Sequence, residues 1–480
     1  MRWIKACSKQ LCLCALILLF GVIYVLCRVG EASKFGGLDI VSVEALEELT
    51  AGRRYIEEPE HVDSFLSLQG QKAAYDKKTH TFYVSQPVHE EQIASLFEVP
   101  AGNISLCVAQ DTYVGDVEGA MQAGHRFQLW MIGEQEYTVF GLIFTGAPVL
   151  AVNSADVLKS DYQKGGIVLF DPDDEDVNGV SVKSSQAYLK YNANAGTYSI
   201  KLMKKDFAED KRLSLLGIGK NKTWKLYEVS KSDRSLTRAK LAADVWNAMN
   251  AGTALVRGYE FVEVVENNVY KGLYLLAPKW NRSMLTLSEQ ECVVSREELT
   301  PEQIPAYLDL ISDKDLSRYY LFLQMTYAYK NGTEDYVVIE TVQDNGEKRC
   351  VLAPDKLKHV FGSFEKALQY LAWEGDEQDN DTSRMLIATE EVEAAKGRQE
   401  REILRLSTVE WKQLRATVLG DEMIRRQLAL YKQYLIDSGL AVRCVEEDAF
   451  GYYYGLFEDY LRDRLAYMDE FFEYSGGTVS

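Results

Sequence analysis

The stretch Leu11 to Leu26, LCLCALILLFGVIYVL, carries no charge. At helical rise it spans roughly 24 Å, a little short of the ~30 Å hydrocarbon core of a bilayer, and flanking side chains can snorkel to make up the difference. Arg2, Lys5 and Lys9 precede the run, while only Arg28 and Lys34 follow closely. That asymmetry keeps the amino end in the cytoplasm and sends the rest across. The expectation is a single-pass protein of the cell membrane with an extracellular bulk: residues 1–10 cytoplasmic, 11–27 a transmembrane helix, and the membrane itself a partner. A cleaved signal peptide is the alternative, for which Gly30-Glu31-Ala32 is a poor small-x-small site.

The remainder has a globular texture. With 480 residues, 47% apolar and 26% charged, the chain can fill two or three domains. Its net charge of -19 makes a nucleic-acid surface improbable on electrostatic grounds, so no nucleic acid is expected as a partner. Cys107, Cys292, Cys350 and Cys444 are scattered without metal-ligand spacing, and buried free thiols are the default reading.

Residues 28–68 read as a spacer, Glu-rich and mixed in pattern beyond Val41. From 69 to 146 come short alternating runs, THTFYVSQPV, GNISLCVAQ, HRFQLWMIG and EYTVFGLIF, the period of a small all-β domain. Beyond Ala147 the texture is mixed. GTYSIKLMKK alternates, Ser235 to Asn250 has a helical apolar stripe, and YEFVEVVENNVYKGLYLLAP reads as a hairpin turning at its Asn-Asn pair. A helix is expected from Pro305 to Tyr329, a second hairpin around Asp344-Asn345-Gly346, and helices through 400–475. The acidic loop Asp376 to Thr382 is read as a solvated surface.

Several ordered pieces carry a resemblance. They are YLKYNANAGTYSIKL, RLSLLGIGKNKTWKLYEVSKSDRSLTRAKLAADVW, FVEVVENNVYKGLYLLAPKW, the region Ser317 to Gly362, and the ending YLRDRLAYMDEFF. Together they resemble the CotH family, the spore-coat-type atypical protein kinases of bacteria, over about Ala147 to Phe472. The resemblance implies an α+β, atypical protein-kinase-like domain at 147–480 with C-terminal helices, following the small all-β domain and the anchor. It also implies ATP and Mg²⁺ as cofactors of an active member, and a cell-surface or coat protein as partner.

Phosphoryl transfer needs a cation on the phosphates, a carboxylate-held metal and an acid that orients the attacking hydroxyl. By resemblance, the candidate nucleotide-binding residues are Lys190, Asn192, Lys201, Arg238 and Lys240. Two departures obstruct them: Tyr191 stands where a glycine lets backbone approach a phosphate, and Pro278 stands where the family has a glutamate.

The loop LAPDKLKHVFGSF departs further. Laid on the family's pattern through Pro354, Leu357, Phe361 and Gly362, it puts Lys356 and Lys358 on the two metal-binding aspartates, and Lys330 falls on the third acid. An ammonium has no lone pair to offer Mg²⁺. Asp335 and Asp355 are the fallback acids. The expectation is a pseudokinase acting as a binding or assembly module, and the alternative is an active CotH-type kinase that transfers phosphate from ATP with rearranged acids.

Overall fold

The computed structural model describes residues 38–57, 66–85, 104–109, 117–122, 124–172, 180–229, 233–328, 335–362, 396–445 and 447–475. The run Leu11 to Leu26, the acidic loop Asp376 to Thr382 and Lys330 lie outside these residues.

The amino-terminal strands are β1 (Leu38–Val41), β2 (Arg54–Tyr55), a small hairpin of β3 (Ser67–Leu68) and β4 (Gln71–Lys72), then β5 (Ala74–Asp76), β6 (Thr81–Ser85), β7 (Ser105–Ala109), β8 (Arg126–Ile132) and β9 (Glu136–Thr145). Seven of them form one mixed sheet in the order β1-β7-β8-β9-β6-β5, with β2 also paired to β9. The four alternating runs supply β6 to β9. Residues within the stretch read as a spacer supply β1, parallel to β7, and β2, parallel to β9.

Next come β10 (Val149–Ser154), β11 (Gln163–Asp171), β12 (Ser181–Asn192), β13 (Thr197–Met203), a short hairpin of β14 (Leu213–Leu215) and β15 (Ile218–Asn221), β16 (Thr223–Glu228), β17 (Glu260–Glu266) and β18 (Val269–Pro278). Strands β10-β11-β12-β13-β16-β18-β17 close into a seven-stranded barrel. The closing step is the parallel pairing of β10 with β17, Val149 opposite Glu263 through Val152 opposite Glu266. Alternate residues fill the inside: Leu189, Tyr198, Ile200, Leu202, Trp224, Leu226 and Leu276 are all buried in one cluster. Each large apolar side chain buried in this way contributes roughly 1.5–3 kcal/mol.

The barrel's outer surface is covered on two sides. Val149, Phe170 and Val265 pack on the amino-terminal sheet. Tyr227, Phe261, Leu273, Leu275 and Ala277 pack on a helical layer. That layer comprises Arg238–Met249, Asp313–Thr326, Lys396–Ala416, Asp421–Asp437 and Glu447–Phe471, with a three-stranded sheet of β19 (Cys292–Ser295), β20 (Tyr336–Val342) and β21 (Lys348–Pro354).

Two expectations are corrected. The fold is mixed α/β around a closed barrel, not the α+β kinase-like domain implied by resemblance, because a pairing between β10 and β17 closes the sheet. Among the described residues no helix is long and apolar enough to cross a membrane. Against the expected transmembrane helix and the single-pass, extracellular placement built on it, the described residues supply no spanning helix; the run Leu11 to Leu26 lies outside them, and the finding says nothing of a β-barrel crossing.

Candidate functional site

The loop after β21 is fixed by its apolar residues. Leu357, Val360 and Phe361 are buried, and the Phe361 N–H donates to the Thr326 carbonyl at 2.6 Å. Arg238 donates to the Phe361 carbonyl from the start of its helix, while its guanidinium sits 3.3 Å from Asp233 and 4.7 Å above the Phe457 ring. Arg238 is therefore a buried strut. Lys240 pairs with Asp244 at 3.1 Å on the same helix. Neither residue reaches the site described next, although resemblance had placed both at the nucleotide.

Lys190, Asn192, Lys201, Asp355 and Lys356 do come together. They line a cleft of about 750 Å³ on the barrel's outer face, between β12, β13 and β16 and the start of the loop. Strand alternation explains the gathering: with Tyr198, Ile200, Trp224 and Leu226 inside the barrel, Ser199, Lys201, Thr223 and Lys225 face outward. Lys190 lies opposite Ser199, which lies opposite Lys225, so the three share one row. Tyr191, where a phosphate loop was expected, is a strand residue whose ring packs on Tyr198 at 4.5 Å. Lys358 is not among the lining residues.

The carboxylates of the cleft are already engaged. Asp355 receives Lys225 Nζ at 2.8 Å and Arg257 Nη1 at 3.3 Å, and its own carbonyl accepts from Arg257 Nη2 at 2.7 Å. Burial by itself disfavours the Asp355 carboxylate, but the charges of Lys225 and Arg257 outweigh it and hold the pKa well below the usual range. Lys356 Nζ lies between Glu297 Oε1 at 2.7 Å and Asp335 Oδ1 at 2.9 Å. Burial opposes that ammonium too, yet the hydrogen bond to Glu297 and the charge of Asp335 raise its pKa above the ordinary lysine value. The position that the resemblance puts on a metal-binding aspartate thus carries a tethered cation, held by Glu297 and Asp335. Both fallback acids, Asp335 and Asp355, are consumed in this way, so the donor set does not fit Mg²⁺. Among the described residues no cluster of His, Cys, Asp or Glu is placed to hold a metal ion.

Charge is left over on the positive side. Lys201 and Lys222 share one carboxylate, Asp210, at 2.9 and 2.7 Å, and Lys225 and Arg257 share another. Lys279 also lines the cleft, and burial together with the neighbouring Lys225 pushes its pKa down. Among the described residues no carboxylate lies within ion-pair distance of Lys190 or Lys279. In a protein of net charge -19 this is a locally cationic concavity, suited to an anion.

The chain matches no family model and no curated protein.

Sequence reasoning missed Lys225, Arg257, Lys279 and Glu297. Lys225 was within reach, since Thr-Trp-Lys-Leu alternates and the odd positions share a face with Lys201. Arg257 and Glu297 are brought in from distant segments, and nothing local marks them.

Proposed function

We propose that the chain is a non-catalytic binding module, a pseudokinase-type relative of the family its sequence resembles, whose cationic cleft takes a phosphate-bearing anion without a divalent metal. The observation that carries this reading is the Lys356 ammonium seated between Asp335 and Glu297. A metal in that position would have to displace a half-buried, hydrogen-bonded cation, and the surplus lysines supply the phosphate-neutralising charge that a metal otherwise brings. Lys201, Lys190 and Asn192 are the ligand-facing residues in this reading, and a coat or surface protein is the assembly partner that the resemblance suggests.

A thermal-shift titration of the full chain with ATP tests it. The expected result is the same upward shift with EDTA, Mg²⁺ or Mn²⁺, and no label incorporated from γ-labelled ATP. A shift that requires metal, or phosphate transfer by the wild type, would sink the reading.

A further inference from the structure

The cleft is rich in cations but poor in surfaces for a nucleobase. Two aromatic rings contribute to its lining, Tyr162 and Trp280. The Lys190 ammonium stands over the Tyr162 ring at 4.9 Å from its centroid. Trp280 is 3% exposed; the Arg257 guanidinium lies 5.0 Å from its centroid, and its Nε1 donates to the Pro354 carbonyl at 2.9 Å. Each ring is thus already faced by a cation of the chain. Val337 is 3% exposed, and the half-buried Cys292 and Val293 on β19 offer small side chains without a flat face. Stacking on aromatic rings is one way a protein holds a base; here Trp280 is closed off, and Tyr162, 45% exposed, has the Lys190 ammonium over its ring.

The cations, in contrast, are arrayed for repeated negative charge. Lys190 and Lys225 lie two strands apart in one row with Ser199 between them, a Cα separation of roughly 10 Å at ordinary strand spacing. Lys201 and Thr223 form the adjacent outward row, and Lys279 follows β18 on the same side. Ammonium groups alternating with hydroxyls across a sheet face match a short run of linked phosphates, whose oxygens accept from both.

We infer that the ligand of this cleft is a base-free oligophosphate, held by Lys190, Lys201, Lys225 and Lys279 with Ser199 and Thr223. The inference rests on the metal-free anion reading above and narrows its ligand. Burial and Lys225 depress the Lys279 pKa, and an oligophosphate beside Lys279 reverses that effect by favouring the charged form.

Isothermal titration of the full chain in EDTA with sodium tripolyphosphate, ATP and adenosine tests the ligand class. Tripolyphosphate is expected to bind at least as tightly as ATP and to displace it fully, with no heat from adenosine. Lys279→Gln and Lys190→Gln, neither of which breaks an ion pair among the described residues, are each expected to weaken tripolyphosphate at least roughly tenfold. ATP binding that tripolyphosphate fails to displace, or measurable adenosine binding, would overturn the oligophosphate assignment while leaving the metal-free anion reading standing. Absence of binding by both phosphates overturns both. Unchanged tripolyphosphate affinity in the two lysine variants, with their thermal unfolding intact, overturns the placement of the ligand in this cleft.

Discussion

Asp355 and Lys356 are neighbours in sequence and are held by opposite partners, the acid by Lys225 and Arg257 and the base by Glu297 and Asp335. Replacing one member of such a pair strands the others. For Asp355→Asn, which leaves Lys225 and the 1%-exposed Arg257 without their carboxylate, a loss of roughly 3–5 kcal/mol is expected in urea unfolding at neutral pH. The pH dependence follows from the direction of the shift. A carboxyl whose folded pKa is depressed contributes stability that is present above its unfolded value, about 3.9, and is lost as pH falls toward the folded value. Wild-type urea midpoints should therefore decline below about pH 4, and the decline should be shallower in Asp355→Asn. At Lys356 the expectation is a gain: Lys356→Asp removes the tethered ammonium and places a third carboxylate beside Asp335 and Glu297. That variant should acquire a Mn²⁺- or Mg²⁺-dependent thermal shift that the wild type lacks; at a hundred times Kd the stabilisation would be about 2.7 kcal/mol. An unchanged melting curve in metal would show that these acids do not converge on one point.

At the scale of elements, the hairpins were legible because their turns need particular backbone angles. Asn267 and Asn268, between β17 and β18, both have positive φ, at 48° and 59°, the conformation of a two-residue turn that asparagine tolerates. Gly346, at φ +83°, supplies the left-handed residue of the longer turn between β20 and β21, where the Gln343 N–H donates to the Glu347 carbonyl. The helix expected at Ser235 to Asn250 forms over Arg238–Met249, led by Asp233, whose carboxylate accepts the Arg238 N–H. The single helix expected from Pro305 to Tyr329 is instead two, Gln303–Leu308 and Asp313–Thr326. Ser312 explains the break: its side chain caps the second helix by accepting the Asp315 N–H. One element junction is set by glycine. Gly439, at φ +70°, leads into the helix Leu440–Cys444, and a Cβ there would meet the Gly124 Cα at 2.8 Å. Gly439→Ala is expected to lose at least roughly 1 kcal/mol from the backbone angle alone, with further loss from the clash, readable as a lowered melting temperature.

Over the whole molecule, one buried ion pair joins three parts. Arg443, from the carboxy-terminal helices, grips Glu263 of β17 with Nε at 3.0 Å and Nη2 at 2.8 Å. Nη2 also lies 2.6 Å from Thr145 Oγ1 at the end of β9, and Tyr270 of β18 donates to Glu263 Oε1 at 2.6 Å. Glu263 is fully buried. Arg443→Met leaves that carboxylate without its cation, and a loss of roughly 3–5 kcal/mol is expected. Because the pair ties the amino-terminal sheet, the barrel and the helical layer together, chemical unfolding of the variant should separate into more than one transition where the wild type shows one. A single, undiminished transition would show that the apolar contacts among the three parts suffice.

The sequence by itself determined the local features: the alternation that makes β6 to β9 and β13 strands, the asparagine and glycine turns, and the lysine on the loop where a metal carboxylate was expected. Each of these depends on residues within a few positions of one another, where period and turn chemistry act. Tertiary structure alone decided that β10 meets β17 and closes a barrel, and that Arg257 and Glu297 arrive from separate segments to neutralise Asp355 and Lys356. Those pairings set the charge of the cleft, since a lysine opposite one acid is a neutral ion pair and two lysines sharing one acid leave a net positive charge. Which of the two arises depends on distances across the fold, and no spacing along the chain encodes them.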